Sequence, residues 1–278
     1  MANTVSQGCV PEAFTGVIAP MYTPIHQNGS LDLAGTAEMV RWLAECGCVR
    51  TVFARSGMGK MFTFTMAETR LFAETVRQAL PSGMGMLLGS GGEWLNRETG
   101  GHADEGTYIG QAIEITNFAR DLGCDGAVHV LPAAILPRAD ESHHDLVYRY
   151  YREVHDATDL PILLYQPGGT PEPYRLSPGL LKRLLELPRI AGLKLSTAED
   201  AVFDPLNDVV RGATVHSGKR PPFAMICGHE GYYAQGLRKG AVGVIGQGCN
   251  GYPELLAAVE RRHRQGDLPG ATQAQDAV

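Results

Sequence analysis

Eight times along this chain of 278 residues, a short apolar, β-prone run is followed by a longer stretch with helical spacing. The runs are 16–24, 50–54, 85–89, 126–131, 161–165, 190–195, 214–217 and 241–245. The helical stretches are 33–45, 67–80, 108–122, 142–157, 178–187, 201–209, 232–239 and 252–265. Near-continuous apolar runs are the mark of parallel strands buried on both faces, with helices covering the sheet. Eight such pairs favour a closed (β/α)8 TIM barrel over an open doubly wound sheet. No G-x-G-x-x-G follows any strand, which also counts against a dinucleotide-binding sheet. A composition of 44% hydrophobic and 19% charged residues fills a large core and argues against disorder.

No linker divides the chain, so one domain is expected over residues 1–278, with the barrel from about 14 to 265 and a short C-terminal helical extension. Asp32, Thr65, Asp140 and Ser177 stand where N-caps are expected, and Gly123 and Gly240 where helices end. The polar stretch 93–106 follows the third run and has the position of a lid on the catalytic face. The net charge of −6 gives no sign of nucleic-acid binding, and no run of about 18 apolar residues predicts a membrane span. The N-terminal residues lack the pattern of a signal peptide. The six scattered cysteines lack zinc-ligand spacing and predict reduced thiols in a cytoplasmic protein.

Barrel enzymes place their chemistry at the C-terminal ends of the strands. Of the five lysines, Lys182 and Lys239 fall on helices and Lys60 and Lys219 in loops. Lys194 alone falls within an apolar strand, between Leu193 and Leu195. If those leucines face the helices, Lys194 faces the barrel interior, where desolvation leaves a neutral amine able to attack a carbonyl. A strand-end lysine reaching a surface carboxylate is the alternative. Tyr165 ends the preceding strand, where a hydroxyl can pass protons; a hydrogen-bonded core tyrosine is the other reading.

Several stretches resemble the dihydrodipicolinate synthase and N-acetylneuraminate lyase superfamily of pyruvate-type class I aldolases, over about 16–265. Gly16-Val-Ile-Ala-Pro-Met-Tyr-Thr-Pro24 is similar to that family's first strand, and Leu164-Tyr165-Gln166-Pro167 to its tyrosine strand. Gly192-Leu-Lys-Leu-Ser-Thr197 is similar to its lysine strand, and Gly240-Ala-Val-Gly-Val-Ile245 to its eighth. The resemblance implies Lys194 as Schiff-base lysine and Tyr165 as proton relay, with Ser56, Gly57, Met58 and Ile245 as substrate-binding residues. It also implies a small 2-oxo acid substrate, no metal or organic cofactor, and a homo-oligomer (dimer or tetramer).

The departures are specific. Where the family has Gly-Thr-Thr-Gly-Glu, this chain has Ser56-Gly57-Met58-Gly59-Lys60. Met58 cannot relay a proton, although the backbone N–H groups of a glycine-rich turn can hold a carboxylate. Gly168-Gly169-Thr170 occupies the place of the synthase branch's arginine, and the nearest arginine is Arg175. Pro132-Ala133-Ala134 stands where many relatives have Pro-Tyr-Tyr, so dihydrodipicolinate synthase activity itself is not expected. Arg55 and Lys60 are candidates for a second substrate carboxylate. Glu93, Trp94, Arg138, Gln247 and Asn250 are further polar groups after strands, and 89–92 is a candidate phosphate cradle. His143-His144 and the other histidines lack the pattern of a barrel metal site. The expected activity is aldol cleavage or condensation, or dehydration of a 2-oxo-3-deoxy acid. The alternative is a non-catalytic family member that binds a small acid.

Overall fold

The computed structural model describes residues 10–94, 101–217 and 223–278. Eight strands run β1 (Gly16–Pro20), β2 (Val49–Ala54), β3 (Gly85–Gly89), β4 (Gly126–Val130), β5 (Ile162–Gln166), β6 (Ile190–Leu195), β7 (Ala224–Cys227) and β8 (Gly243–Val244). They pair in parallel and in sequence order, and β8 closes on β1 through Gly16↔Gly243 and Val17↔Val244. The helices are α1 (Leu33–Glu45), α2 (Met66–Ala79), α3 (Glu105–Asp121), α4 (His143–Ala157), α5 (Pro178–Leu184), α6 (Asp200–Ser217), α7 (Tyr233–Lys239), α8 (Pro253–Arg264) and α9 (Leu268–Gln275). The chain is therefore a (β/α)8 TIM barrel with a C-terminal helical extension.

Side-chain alternation along the strands divides the core in two. Leu193, Leu195, Leu164 and Val52 pack outward against the helices. Ile18, Phe53, Leu87, Val128, Leu163, Tyr165, Ile226 and Ile245 fill the barrel. Phe14, fully buried in the short turn before β1, plugs the N-terminal end. A β-carbon at Gly126, the first residue of β4, would fall 2.7 Å from the Phe14 ring.

The capping chemistry largely follows the sequence. Asp32 accepts from Gly35 N at 2.9 Å, and Ser177 from Leu180 N at 3.2 Å. Thr65 and Glu68 form a reciprocal capping box. Gly123 and Gly240 adopt positive φ at helix ends. For α4 the cap is Ser142, which accepts from Asp145 N at 3.1 Å; Asp140 lies in the turn before it, too early to reach the first free N–H groups. The last segment is an ordered helix, tied down where Gln275 accepts from Ala234 N and donates to Glu230 O.

The seventh strand corrects the expectation. Residues 214–217 form the end of α6, and β7 is Ala224–Cys227. A short run such as Thr214-Val-His-Ser217, with two β-branched residues, is ambiguous when it continues an amphipathic helix. The expected lid at 93–106 falls partly on residues outside those described, as does Lys219.

Candidate active site

Register sets the centre of the site. Tyr165 pairs with Lys194 across β5 and β6, and Lys194 pairs with Ile226 of β7. Leu193 and Leu195 face the helices, so Lys194 points into the barrel and is only 3% exposed. Its Nζ lies 4.0 Å from the centroid of the Tyr165 ring and 5.7 Å from that of Phe53. Burial pushes the Lys194 amine down to about 7; the Cys249 thiol and the Glu230 carboxylate pull the other way. At neutral pH a large share of this amine is unprotonated and nucleophilic.

The turn after β2 faces the pair. A β-carbon on Gly57 would fall 3.0 Å from the Tyr165 hydroxyl, so the absence of a side chain there leaves room for that hydroxyl. The turn is braced by its own atoms: Ser56 Oγ donates to Met21 O and accepts from Gly59 N, and Thr23 Oγ1 donates to Gly59 O at 2.6 Å. The Ser56 hydroxyl is thus committed to the fold, and the Met58 side chain is 40% exposed. The backbone N–H groups of Gly57 and Met58 have no acceptor among the described residues. Arg55 and Lys60, at the two ends of this turn, are the two non-glycine residues with positive φ among those described, at 49° and 57°. Such strain concentrates at functional sites. Ile245 lies in the barrel interior with Tyr165 and Ile226, its N–H donating to Cys227 O.

The remaining candidates separate from this centre. Arg55 is 1% exposed, with Nη1 donating to Gly89 O and Gly91 O, so it does not present its guanidinium to solvent at the mouth. The same bonds overturn the phosphate cradle: two carbonyls of the 89–92 turn face a cation, while Ser90 N is spent on Val128 O. Glu93 caps α2 through Met66 N, Trp94 donates to Gly101 O, and Arg138 pairs with Glu105. Asn250 donates to Pro20 O, tying the end of the barrel to β1. Arg175 is exposed and donates to Thr170 O. Lys60 and Gln247 are exposed. Among the described residues no group of three His, Cys, Asp or Glu side chains is placed to hold a metal ion, and no helix is long and apolar enough to cross a membrane. A cleft of about 640 Å³ lies at the opposite end of the barrel, between Arg50, Thr51, Asp125 and Glu260, away from the strand ends that carry the amine.

Glu230 is the group that sequence reasoning missed. Its carboxylate accepts from Gly248 N and bears electrostatically on Lys194. Once β7 is placed at Ala224–Cys227, Glu230 falls three residues past its end, on the catalytic face. With the strand assigned to 214–217, that signal was lost.

Fold, site and relatives define the class: an enzyme of the lyase type, related to class I aldolases. The chain belongs to the dihydrodipicolinate synthetase family, whose model matches residues 13–278. It is 27% identical over 263 residues to a 4-hydroxy-tetrahydrodipicolinate synthase of Gluconacetobacter diazotrophicus, covering 95% of this chain and 79% of that protein. It is also 27% identical over 260 residues to YagE of Escherichia coli K12, a putative 2-dehydro-3-deoxy-D-gluconate aldolase, covering 93% of this chain and 77% of that one. The crystal structure of YagE in complex with pyruvate matches with a TM-score of 0.77 at 25% identity, over 95% of this chain and 80% of that chain. N-acetylneuraminate lyase from Mycoplasma synoviae shares the fold, with a TM-score of 0.76 at 20% identity over 95% and 80% of the two chains.

Proposed function

We propose that this protein is a Schiff-base lyase acting on a 2-oxo acid, with Lys194 as nucleophile and Tyr165 as proton carrier. The observation that carries the reading is the buried Lys194 amine, lowered to about 7 and set over the Tyr165 ring. The amine adds to the 2-oxo carbon, giving a carbinolamine. Tyr165 delivers a proton to the departing hydroxyl, water leaves, and an iminium remains. The iminium draws electrons from the adjacent bonds. The C3–C4 bond then breaks to release an aldehyde, or forms with one, or a hydroxyl at C4 leaves after C3 is deprotonated. Hydrolysis returns the free amine. The carboxylate sits against the free N–H groups of Gly57 and Met58, as in other backbone nests. Ile245 and Ile226 supply the apolar wall beside the amine.

Support comes from the family and from a relative solved with pyruvate. One observation favours the non-catalytic alternative: the Tyr165 hydroxyl faces Gly57, which has no hydroxyl to offer, where the family pattern has a threonine. Borohydride trapping separates the two readings. Pyruvate followed by borohydride is expected to leave a reduced adduct on Lys194, found by peptide mass spectrometry and absent in Lys194→Ala. An unlabelled Lys194 with pyruvate and with a panel of larger 2-oxo acids replaces the lyase by a binding protein.

A further inference from the structure

The sequence places an arginine at the end of β2, a position where a long cation ordinarily snorkels to water. Here the whole side chain is interior. Arg55 is 1% exposed, and its Nη1 donates to Gly89 O at 2.9 Å and Gly91 O at 2.7 Å. Its Nε has no partner, and no carboxylate lies within ion-pair distance among the described residues. Glu93 acts on it only at longer range, with its carboxylate already accepting from Met66 N. His129, on β4 two strands over from β2, is held neutral, pushed down to about 3 by burial and then by the Arg55 charge. Arg55 itself is lowered by burial to about 10 and so stays cationic at neutral pH. A buried charge with no carboxylate partner is costly. The left-handed backbone of the same residue adds strain. Both penalties fall on the residue that opens the 56–59 turn.

The turn that Arg55 opens carries free donors of the same polarity as the cation, so both favour an anion. Its two free N–H groups, on Gly57 and Met58, lie two and three residues from Arg55, and Gly57 faces the Tyr165 hydroxyl. The side chain fastens the turn to the extension of β3, so the left-handed entry cannot relax without breaking two hydrogen bonds. In a low-dielectric interior a fixed positive charge on the residue that opens a turn with free N–H groups favours an anion at that turn.

We propose that Arg55 is a positioning residue for the substrate carboxylate, holding the 56–59 turn in its strained form and biasing its free N–H pair toward an anion. The identity of the ligand rests on the 2-oxo acid reading above; the role of Arg55 as an anion organiser does not.

The test compares the wild type with Arg55→Met, which is apolar, and Arg55→Lys, which keeps the charge and loses the fork. Three ligands separate the effects. Pyruvate has both carbonyl and carboxylate, acetone has the carbonyl alone, and lactate has the carboxylate without the carbonyl. Borohydride trapping reads the first two and calorimetry the third. Arg55→Met is expected to raise the half-saturating pyruvate and the lactate Kd at least tenfold, with acetone labelling within about threefold of wild type. Arg55→Lys falls between. A purely structural role would lower pyruvate and acetone labelling together, and that result overturns the proposal. So does unchanged pyruvate and lactate binding, or a wild type that binds neither acid. A wild type that binds lactate but is labelled by neither carbonyl sinks the Schiff-base reading and leaves Arg55 to be judged by the lactate arm. If Arg55→Met does not fold, the pyruvate-to-acetone ratio in Arg55→Lys decides.

Discussion

Two glycine-containing turns sit side by side at the catalytic end of the barrel, 56–59 after β2 and 89–92 after β3, and they face opposite ways in polarity. The first leaves the N–H groups of Gly57 and Met58 free beside Tyr165. The second aims the carbonyls of Gly89 and Gly91 at Arg55 and buries its own core position, where Ser90 N bonds Val128 O. A glycine count gives the same forecast for both, an anion cradle. What decides is which end of the peptide dipole is left over after the strands and the neighbouring side chains have taken their share. One turn leaves donors free; the other is an acceptor cup already filled by a guanidinium.

The contrast makes the two turns fail differently. The largest effect is expected at Gly89, where a β-carbon would collide with the Arg55 carbonyl oxygen and the backbone itself would have to move. Gly89→Ala should cost about 3 kcal/mol in urea unfolding. A midpoint within about a degree of wild type in a thermal melt would show that the two turns are not so tightly joined. Gly57→Ala should lose less than about 1 kcal/mol of stability, since φ there is not left-handed, yet raise the half-saturating pyruvate about tenfold by crowding Tyr165. Equal effects of that change on folding and on trapping would erase the distinction.

The smallest effect is in pH. With Lys194 lowered to about 7, the trapping rate should rise about twofold between pH 7 and 8 and level off above, whichever turn is altered. A midpoint near the ordinary lysine value of 10.5 would mean that the barrel does not dry the amine. The stability has a matching sign. Between about 7 and 10.5 the unfolded chain binds more protons at this lysine than the folded one, so stability gained from it rises with pH across that window.

The barrel was legible because its strands are buried on both faces and read as unbroken apolar runs. Lys194 was legible for the same reason, as a lone cation inside such a run. The seventh strand was not, because residues 214–217 look β-prone while lying at the end of an 18-residue helix, and Pro221-Pro222 disguises the approach to Ala224–Cys227. That one displacement hid Glu230. The burial of Arg55 was equally hidden, since nothing in the local sequence says that Gly89 and Gly91, 34 and 36 residues on, will turn their carbonyls toward it. Long-range hydrogen bonding, rather than propensity, decides such positions.

Phe14 at the bottom of the barrel has a bearing on the amine at the top. A stopper there works as electrical insulation: it keeps a column of water from rising beneath the Lys194 strand, and a dry interior has a low dielectric. The dryness around one strand-end amine is in that sense maintained from both ends of the barrel, in part by a phenyl ring that precedes the first strand.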